Sequence, residues 1–167
     1  AWAAANTEAW TTLSNTSGTL GAGATAIVAV TITSAANALP AGVYADTVTF
    51  ANTTNGAGDT SRPISLTITT PGMLVITPAD GLVSTGPLGG PFAPSSLVYT
   101  LQNTGGTSLS WAATTTQAWT TLSSGSGSLA PGVSTTVTVS INAAANALAV
   151  GAYGDTVSFV DQTLGAD

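Results

Sequence analysis

Two tryptophans in a repeated hexapeptide are the residues of this sequence best suited to contact a ligand. The stretch AWTTLS occurs twice and places Trp10 and Trp119 among Thr, Ser and Ala. An exposed indole offers a flat apolar face with a polar edge, the surface on which a sugar ring can stack. We therefore take Trp10 and Trp119 as candidate glycan-binding residues. In the structural alternative each ring is partly covered at a sheet edge, where Leu13 or Leu122 continues a strand with a local bulge.

The acidic residues offer little for catalysis or metal binding. The sequence has seven acids and neither histidine nor cysteine, which excludes a Ser-His-Asp triad, a thiolate nucleophile and the usual zinc sites. Asp46 and Asp155 have the strand parity of core residues, so we expect each to accept structural hydrogen bonds. Calcium is the alternative, but the acids are not clustered as a calcium loop requires. We predict no catalytic residue, metal site or cofactor; an enzyme would have to use carboxylates and hydroxyls alone.

The charge composition excludes two classes of partner. Only 5% of the residues are charged, the formal net charge is −6, and Arg62 is the one basic residue. Nucleic acids and anionic membranes are bound through several lysines and arginines, so we expect neither as a partner. We expect no membrane insertion either, because the sequence has no run of 18 apolar residues.

An internal repeat organises the sequence. Residues 2–56 align with residues 111–165 without a gap at a spacing of 109, with 30 identities in 55 positions. The alignment superimposes Trp10 on Trp119 and GVYADTVTF on GAYGDTVSF. Two copies of one structural unit are therefore predicted.

Apolar residues within each copy alternate with Thr and Ser, which is the period of a β-strand. Gly and Pro separate these short segments, a pattern that favours antiparallel β-sandwiches. The Ala-rich stretches 34–39 and 142–148 each have room for one helical turn. The predicted core of the first copy is Val28, Val30, Ile32, Val48, Phe50, Ile64, Leu66 and Ile68. That of the second is Leu97, Tyr99, Leu101, Leu109, Trp111, Val137, Val139, Ile141, Val157 and Phe159.

The phase of the repeat predicts two domains, each incomplete. A linker at Thr70-Pro71-Gly72 divides residues 1–70 from residues 71–167. Strand-like segments precede Trp111 in the second copy, and the first copy has no equivalent of them. The segment RPISLTITT follows the first copy, and the second copy has no equivalent of it. We therefore expect unpaired strand edges and an open apolar groove, completed by neighbouring repeats or by identical subunits through end-to-end strand pairing.

The order of these motifs resembles the BACON and BACON-like immunoglobulin-type domains of bacterial surface and secreted proteins. The resemblance rests on W-x-x-L-S, a G-x-L turn, a V-x-V-x-I strand and A-x-x-L-x-x-G-x-Y-x-D-T-V-x-F, and it covers nearly the whole chain. The resemblance implies tandem immunoglobulin-like antiparallel β-sandwiches. It also implies a bacterial protein that lies outside the cell or on its surface. It brings no catalytic residues, while a carbohydrate-binding role has been proposed for such modules.

Together these observations predict a non-catalytic extracellular structural or adhesive repeat, part of a linear array or filament. The alternative is a carbohydrate-binding accessory module of a larger secreted protein. The two hypotheses differ in the surface they require. A binding module would expose Trp10 and Trp119 on a concave platform, whereas a structural repeat would bury these rings and use its edges for assembly.

Overall fold

The chain is all-β in a computed structural model that describes residues 1–163. It divides into two compact units, of which the first is Ala1–Thr69 and the second begins at Thr70. Every strand pair in the described residues is antiparallel. Within the same residues, no helix is both long enough and apolar enough to cross a membrane. The predicted second domain ends in residues 164–167, which lie outside the described part.

The first unit consists of one larger and one smaller sheet. Its strands are β1 (Trp2–Ala5), β2 (Thr11–Leu13), β3 (Ser17–Gly18), β4 (Val30–Ile32), β5 (Gly42–Asn52) and β6 (Thr60–Ile68). The larger sheet has the order β3-β1-β5-β6, and the smaller pairs β2 with β4. The predicted helical turn is confirmed as a 3₁₀ helix at Ser34–Ala38, capped by the hydroxyl of Thr33.

The second unit divides its strands between its two sheets differently. Its strands are β7 (Leu74–Thr77), β8 (Ser96–Asn103), β9 (Leu109–Thr114), β10 (Thr120–Leu122), β11 (Ser126–Leu129), β12 (Ser134–Ile141) and β13 (Ser158–Asp161). One sheet has the order β10-β12-β8-β7 and the other the order β11-β9-β13. A second 3₁₀ helix, Ala143–Ala147, follows β12 and is capped by Asn142.

The core of the second unit lies between its two sheets. Strands β8 and β12 contribute from one sheet, and strands β9 and β11 from the other. Inward residues are apolar and outward residues are mainly Thr and Ser, so period-two alternation produces the packing of a β-sandwich. The fully buried members of this core are Tyr99, Leu101, Leu109, Trp111, Ala113, Leu129, Val137 and Val139.

Two of the predicted core residues, Val30 and Ile32, are exposed. The prediction was wrong for them because strand parity gives the side to which a residue points, and not whether another strand covers that side. Strand β4 pairs with β2 alone among the described residues, whereas its counterpart β12 lies between β10 and β8. The other predicted core residues are buried or half-buried.

Candidate functional site

The structure places the two candidate ligand-binding tryptophans in different environments. Trp10 is only 4% exposed, so its ring offers no platform to a ligand in this conformation. Trp119 is half-buried and lines a groove of about 510 Å³ together with Tyr153 and Asp155. Tyr153 is half-exposed. The structure therefore places Trp119 in one groove with a second aromatic ring, Tyr153, whereas Trp10 belongs to the first unit.

The difference between these environments accompanies a difference in strand length. Strand β5 runs over eleven residues and pairs with β6 along Gly42–Phe50. The equivalent residues of the second unit are 151–161, but only β13, Ser158–Asp161, is a strand there. Within the described residues no strand pairs with residues 151–157. Because this segment has no partner strand, it leaves the groove beside Trp119 open.

Asp46 lies near the middle of the first unit's long strand, β5, and is held by a cluster of threonines. Its carboxylate accepts hydrogen bonds from the amide and hydroxyl of Thr7, at 3.1 and 2.8 Å, and from the amide of Thr47 at 2.7 Å. The hydroxyl of Thr11 donates a further hydrogen bond to it. Burial alone would raise the pKa of Asp46, but these hydrogen bonds outweigh burial and lower the pKa well below its usual value.

Asp155 repeats this arrangement in the second unit. It accepts hydrogen bonds from the amide and hydroxyl of Thr116, at 3.0 and 2.6 Å, from the amide of Thr156 at 2.7 Å and from the hydroxyl of Thr120. Here too burial opposes the hydrogen bonds, which nevertheless lower the pKa of Asp155 to about 2. The predicted structural role of both aspartates is confirmed by these contacts.

The chemistry available to the two aspartates is limited. A carboxylate whose pKa is this low stays ionised at neutral pH and cannot act as a general acid. Its oxygens are already engaged by hydroxyl and amide donors. No group of three potential metal ligands occurs among residues 1–163. The arrangement is thus suited to fixing the loop before β2 to β5, and the loop before β10 to the segment of residues 151–157.

An open apolar groove in the first unit is the larger of the two surfaces. It measures about 690 Å³ and is lined by the apolar residues Trp2, Leu20, Val28 and Phe50 and by the polar residues Asn52, Thr54 and Asn55, among others. Leu20 is 47% exposed, and Val30 on β4 is 43% exposed. Their equivalents in the second unit, Leu129 and Val139, are each only 2% exposed. The repeat phase predicted such a groove, and the structure shows which side chains form it.

Two contributors to the architecture were missed by reasoning from the sequence. Asn103 is completely buried, and its amide group accepts from the backbone of Met73 and Gly105 and donates to the carbonyls of Thr107 and Leu129. The second contributor is the glycine of the G-x-L turn. In both copies this glycine follows a tryptophan by 16 residues, and the repeated spacing was the signal in the sequence.

In the strand pairing, Gly18 lies opposite Trp2 and Gly127 lies opposite Trp111. The indole of each tryptophan covers the glycine, and a Cβ atom built on Gly127 would lie 2.9 Å from the ring of Trp111. Only glycine leaves room for the ring at this position. The pair is thus a packing device common to both units.

These features define an antiparallel β-sandwich module with open edges. Residues 95–165 match the family model of the viral BACON domain. This stretch is a BACON-like domain, and the resemblance drawn from the sequence motifs is confirmed for it. The matched family is viral, whereas the motifs pointed to proteins of bacteria. A comparison with curated proteins gives no match.

Proposed function

We propose that the chain is a non-catalytic structural module of an extracellular or cell-surface protein, and that it works as part of a linear array of immunoglobulin-like repeats. The observation that carries this proposal is the difference between equivalent residues of the two units. The same sequence positions are buried where a neighbouring strand is present and exposed where it is not, as Leu129 and Leu20 show. A surface of this kind is suited to receive a strand from another repeat.

The tyrosines after the 3₁₀ helices support the immunoglobulin-like part of the proposal. The hydroxyl of Tyr44 donates to the carbonyl of Pro40 at 2.9 Å, and that of Tyr153 donates to the carbonyl of Ala149 at 3.1 Å. A tyrosine that bonds back to the backbone a few residues upstream is a hallmark of immunoglobulin-type sandwiches. Its occurrence in both units supports two tandem copies of one domain.

The unpaired edge of β6 carries residues that discourage pairing with a further strand. This strand lies at the edge of its sheet and carries Pro63 and the only cation of the sequence, Arg62. Proline cannot donate to a further strand and a charge disfavours stacking, so both discourage pairing. Strand β4 has neither residue. Assembly is therefore expected at β4 and beside residues 151–157, and not at β6.

Sedimentation velocity combined with electron microscopy tests the proposed assembly. A chain with two unsatisfied surfaces should form polymers whose size grows with concentration, since a head-to-tail contact that does not close propagates. The polymers should be linear. A single monomeric species that unfolds cooperatively at all concentrations would contradict the proposal.

Carbohydrate binding is the second candidate, favoured by Trp119 and Tyr153 in one half-open groove. If a glycan binds there, Trp119→Ala should abolish binding on an array of neutral glycans while the melting temperature changes little. Val133→Ala, at an exposed position outside this groove, is the matched control. A Trp119→Ala variant that is stable and still binds its glycan would eliminate this site.

A further inference from the structure

The apolar groove of the first unit has a counterpart in the second unit that is filled. Four residues that line the groove have equivalents 109 positions later in the second copy. Trp2, Leu20, Val28 and Phe50 correspond to Trp111, Leu129, Val137 and Phe159. These four are identical in type in both copies. Any difference in their surroundings therefore comes from their neighbours and not from the residues themselves.

Strand β8 is the neighbour that fills the counterpart. Its side chains Tyr99 and Leu101 are buried in one cluster with Trp111, Leu129 and Val137. The rings of Tyr99 and Phe159 are 5.4 Å apart and tilted by 55°, a favourable aromatic contact. Strand β8 thus covers the same set of residues that the first unit leaves open.

The backbone of the first unit shows the same unfilled position. Strand β12 pairs with β8 over seven residues, from Ser134 to Ser140. In the first unit, residues 25–31 are equivalent to residues 134–140. Strand β4 there begins only at Val30, ends at Ile32 and pairs with β2. Among residues 1–163, nothing pairs with the opposite edge of β4. That edge carries the free backbone groups that an added strand requires.

We propose that this groove binds an extended segment of the β8 type, supplied by a further copy of the repeat. The inference rests on the proposed function and specifies the partner of the module. The segment runs antiparallel to residues 25–31 in the register that β8 has on β12. Its tyrosine then lies opposite Val28, and its first leucine lies opposite Val30.

The chemistry of the groove and of the segment agree. The inward face of β8 presents Leu97, Tyr99 and Leu101, alternating with polar or small outward residues. Neither this segment nor the lining of the groove contains a charged side chain, so docking buries apolar surface without desolvating a side-chain charge. The one charged group in the lining is the amino group of Ala1, which donates a hydrogen bond to the hydroxyl of Thr54 at 2.9 Å. Strand β8 itself lies in the interior of its own sheet and is already paired on both edges. The donor is therefore a β8-type strand other than β8 itself.

Titration of a synthetic peptide into the full chain tests this proposal. The peptide has the sequence of residues 95–103, SSLVYTLQN. We expect saturable binding to one site, with amide hydrogen exchange of residues 25–31 slowed at least about tenfold, since these amides become covered or hydrogen-bonded. A control peptide carrying Tyr99→Ser and Leu101→Ser should not bind.

Two substitutions in the chain locate the site. Val30→Lys places a charge at an exposed position of β4, opposite the first leucine of the docked segment, and should abolish peptide binding. Val43→Lys makes the same change at an exposed position outside the groove and should leave the affinity unchanged. Equal binding of the two peptides, or unchanged affinity of the Val30→Lys variant, would overturn the proposal. If the Val30→Lys variant does not fold, the difference in binding between the wild-type and control peptides still tests the proposal.

This test separates the inference from the proposed function. Specific peptide binding by a chain that never forms polymers supports the strand-accepting groove and contradicts assembly of the chain by itself. Polymers that form while both peptides fail to bind contradict the groove and leave assembly to another surface. An excess of the wild-type peptide should also shorten the polymers, because it occupies the accepting site of each chain.

Discussion

At the scale of single residues, the aspartates show how a chain with one cation keeps buried carboxylates in place. Asp46 is 3% exposed, yet no basic side chain takes part in its hydrogen bonds; hydroxyl and amide donors of three threonines bind it. Charge-assisted hydrogen bonds of this kind are among the stronger ones in proteins. The two clusters therefore replace ion pairs as the anchors of the loops before β2 and β10.

The lowered pKa values of Asp46 and Asp155 predict loss of stability in acid. A carboxylate with a lowered pKa stabilises the fold fully above the pKa of the unfolded chain, 3.8, and this contribution is lost as pH falls through the folded pKa. We expect the free energy of unfolding, measured by urea denaturation, to fall steeply below pH about 4. Asp155→Asn should lower stability at pH 7 and weaken this dependence. Asp80→Asn, at an exposed side chain, is the control; equal behaviour of the two variants would contradict the cluster's role.

The glycine opposite each tryptophan gives a second test at this scale. Gly127→Ala places a Cβ atom 2.9 Å from the ring of Trp111 and should cost about 1–3 kcal/mol in the free energy of unfolding, since the ring must move. Gly125→Ala is the matched control, because its Cβ atom lies at 3.6 Å from the nearest atom. Thermal and urea denaturation measure both variants. Equal stability would show that the ring is not held against the glycine.

At the scale of elements, nearly the same sequence forms a long strand in one unit and a short one in the other. GVYADTVTF is entirely within β5, whereas GAYGDTVSF reaches strand conformation only at Ser158. The difference lies in the partner, since β6 pairs along the whole of this stretch in the first unit. Strand formation here depends on a neighbouring strand more than on intrinsic propensity.

Hydrogen exchange measures this dependence directly. Amides that pair with β6 within residues 43–48 should exchange at least about tenfold more slowly than the equivalent amides within residues 152–157, because they are held in a ladder. Any polymer that forms must first be dissociated by dilution, since assembly would protect both segments. Equal protection in the dissociated chain would mean that partner strands do not set the length of these strands.

The same dependence explains which parts of the structure were predictable. Alternation and Gly/Pro punctuation gave the strands and most of the core, because each requires only local information. The exposure of Val30 was not predictable from parity, since it depends on a strand distant in sequence. The role of Asn103 was not predictable either, because Met73, Thr107 and Leu129 converge on it only after folding. Of the two candidate binding residues, the sequence could not separate Trp10 from Trp119, whose positions are equivalent.

At the scale of the whole molecule, the two units leave different strand positions open. The first has an open groove where the second has β8, and the second has an unpaired segment where the first is paired with β6. Neither position can be filled from the described strands without removing a strand from its own sheet. We therefore propose that strands of further repeats complete both units, and that the module works as part of a linear array.

The most direct test is a chain extended at both ends by its own sequence. A copy of residues 73–109 is placed before Ala1, and a copy of residues 59–70 is placed after Asp167, in the phase of the repeat. The control carries the same two extensions with scrambled sequences. Thermal denaturation and sedimentation velocity are measured for both. We expect the extended chain to be a monomer that melts at least about 10 °C above the control, since burial adds several kcal/mol to the free energy of unfolding. Equal melting temperatures and equal association of the two chains would contradict it.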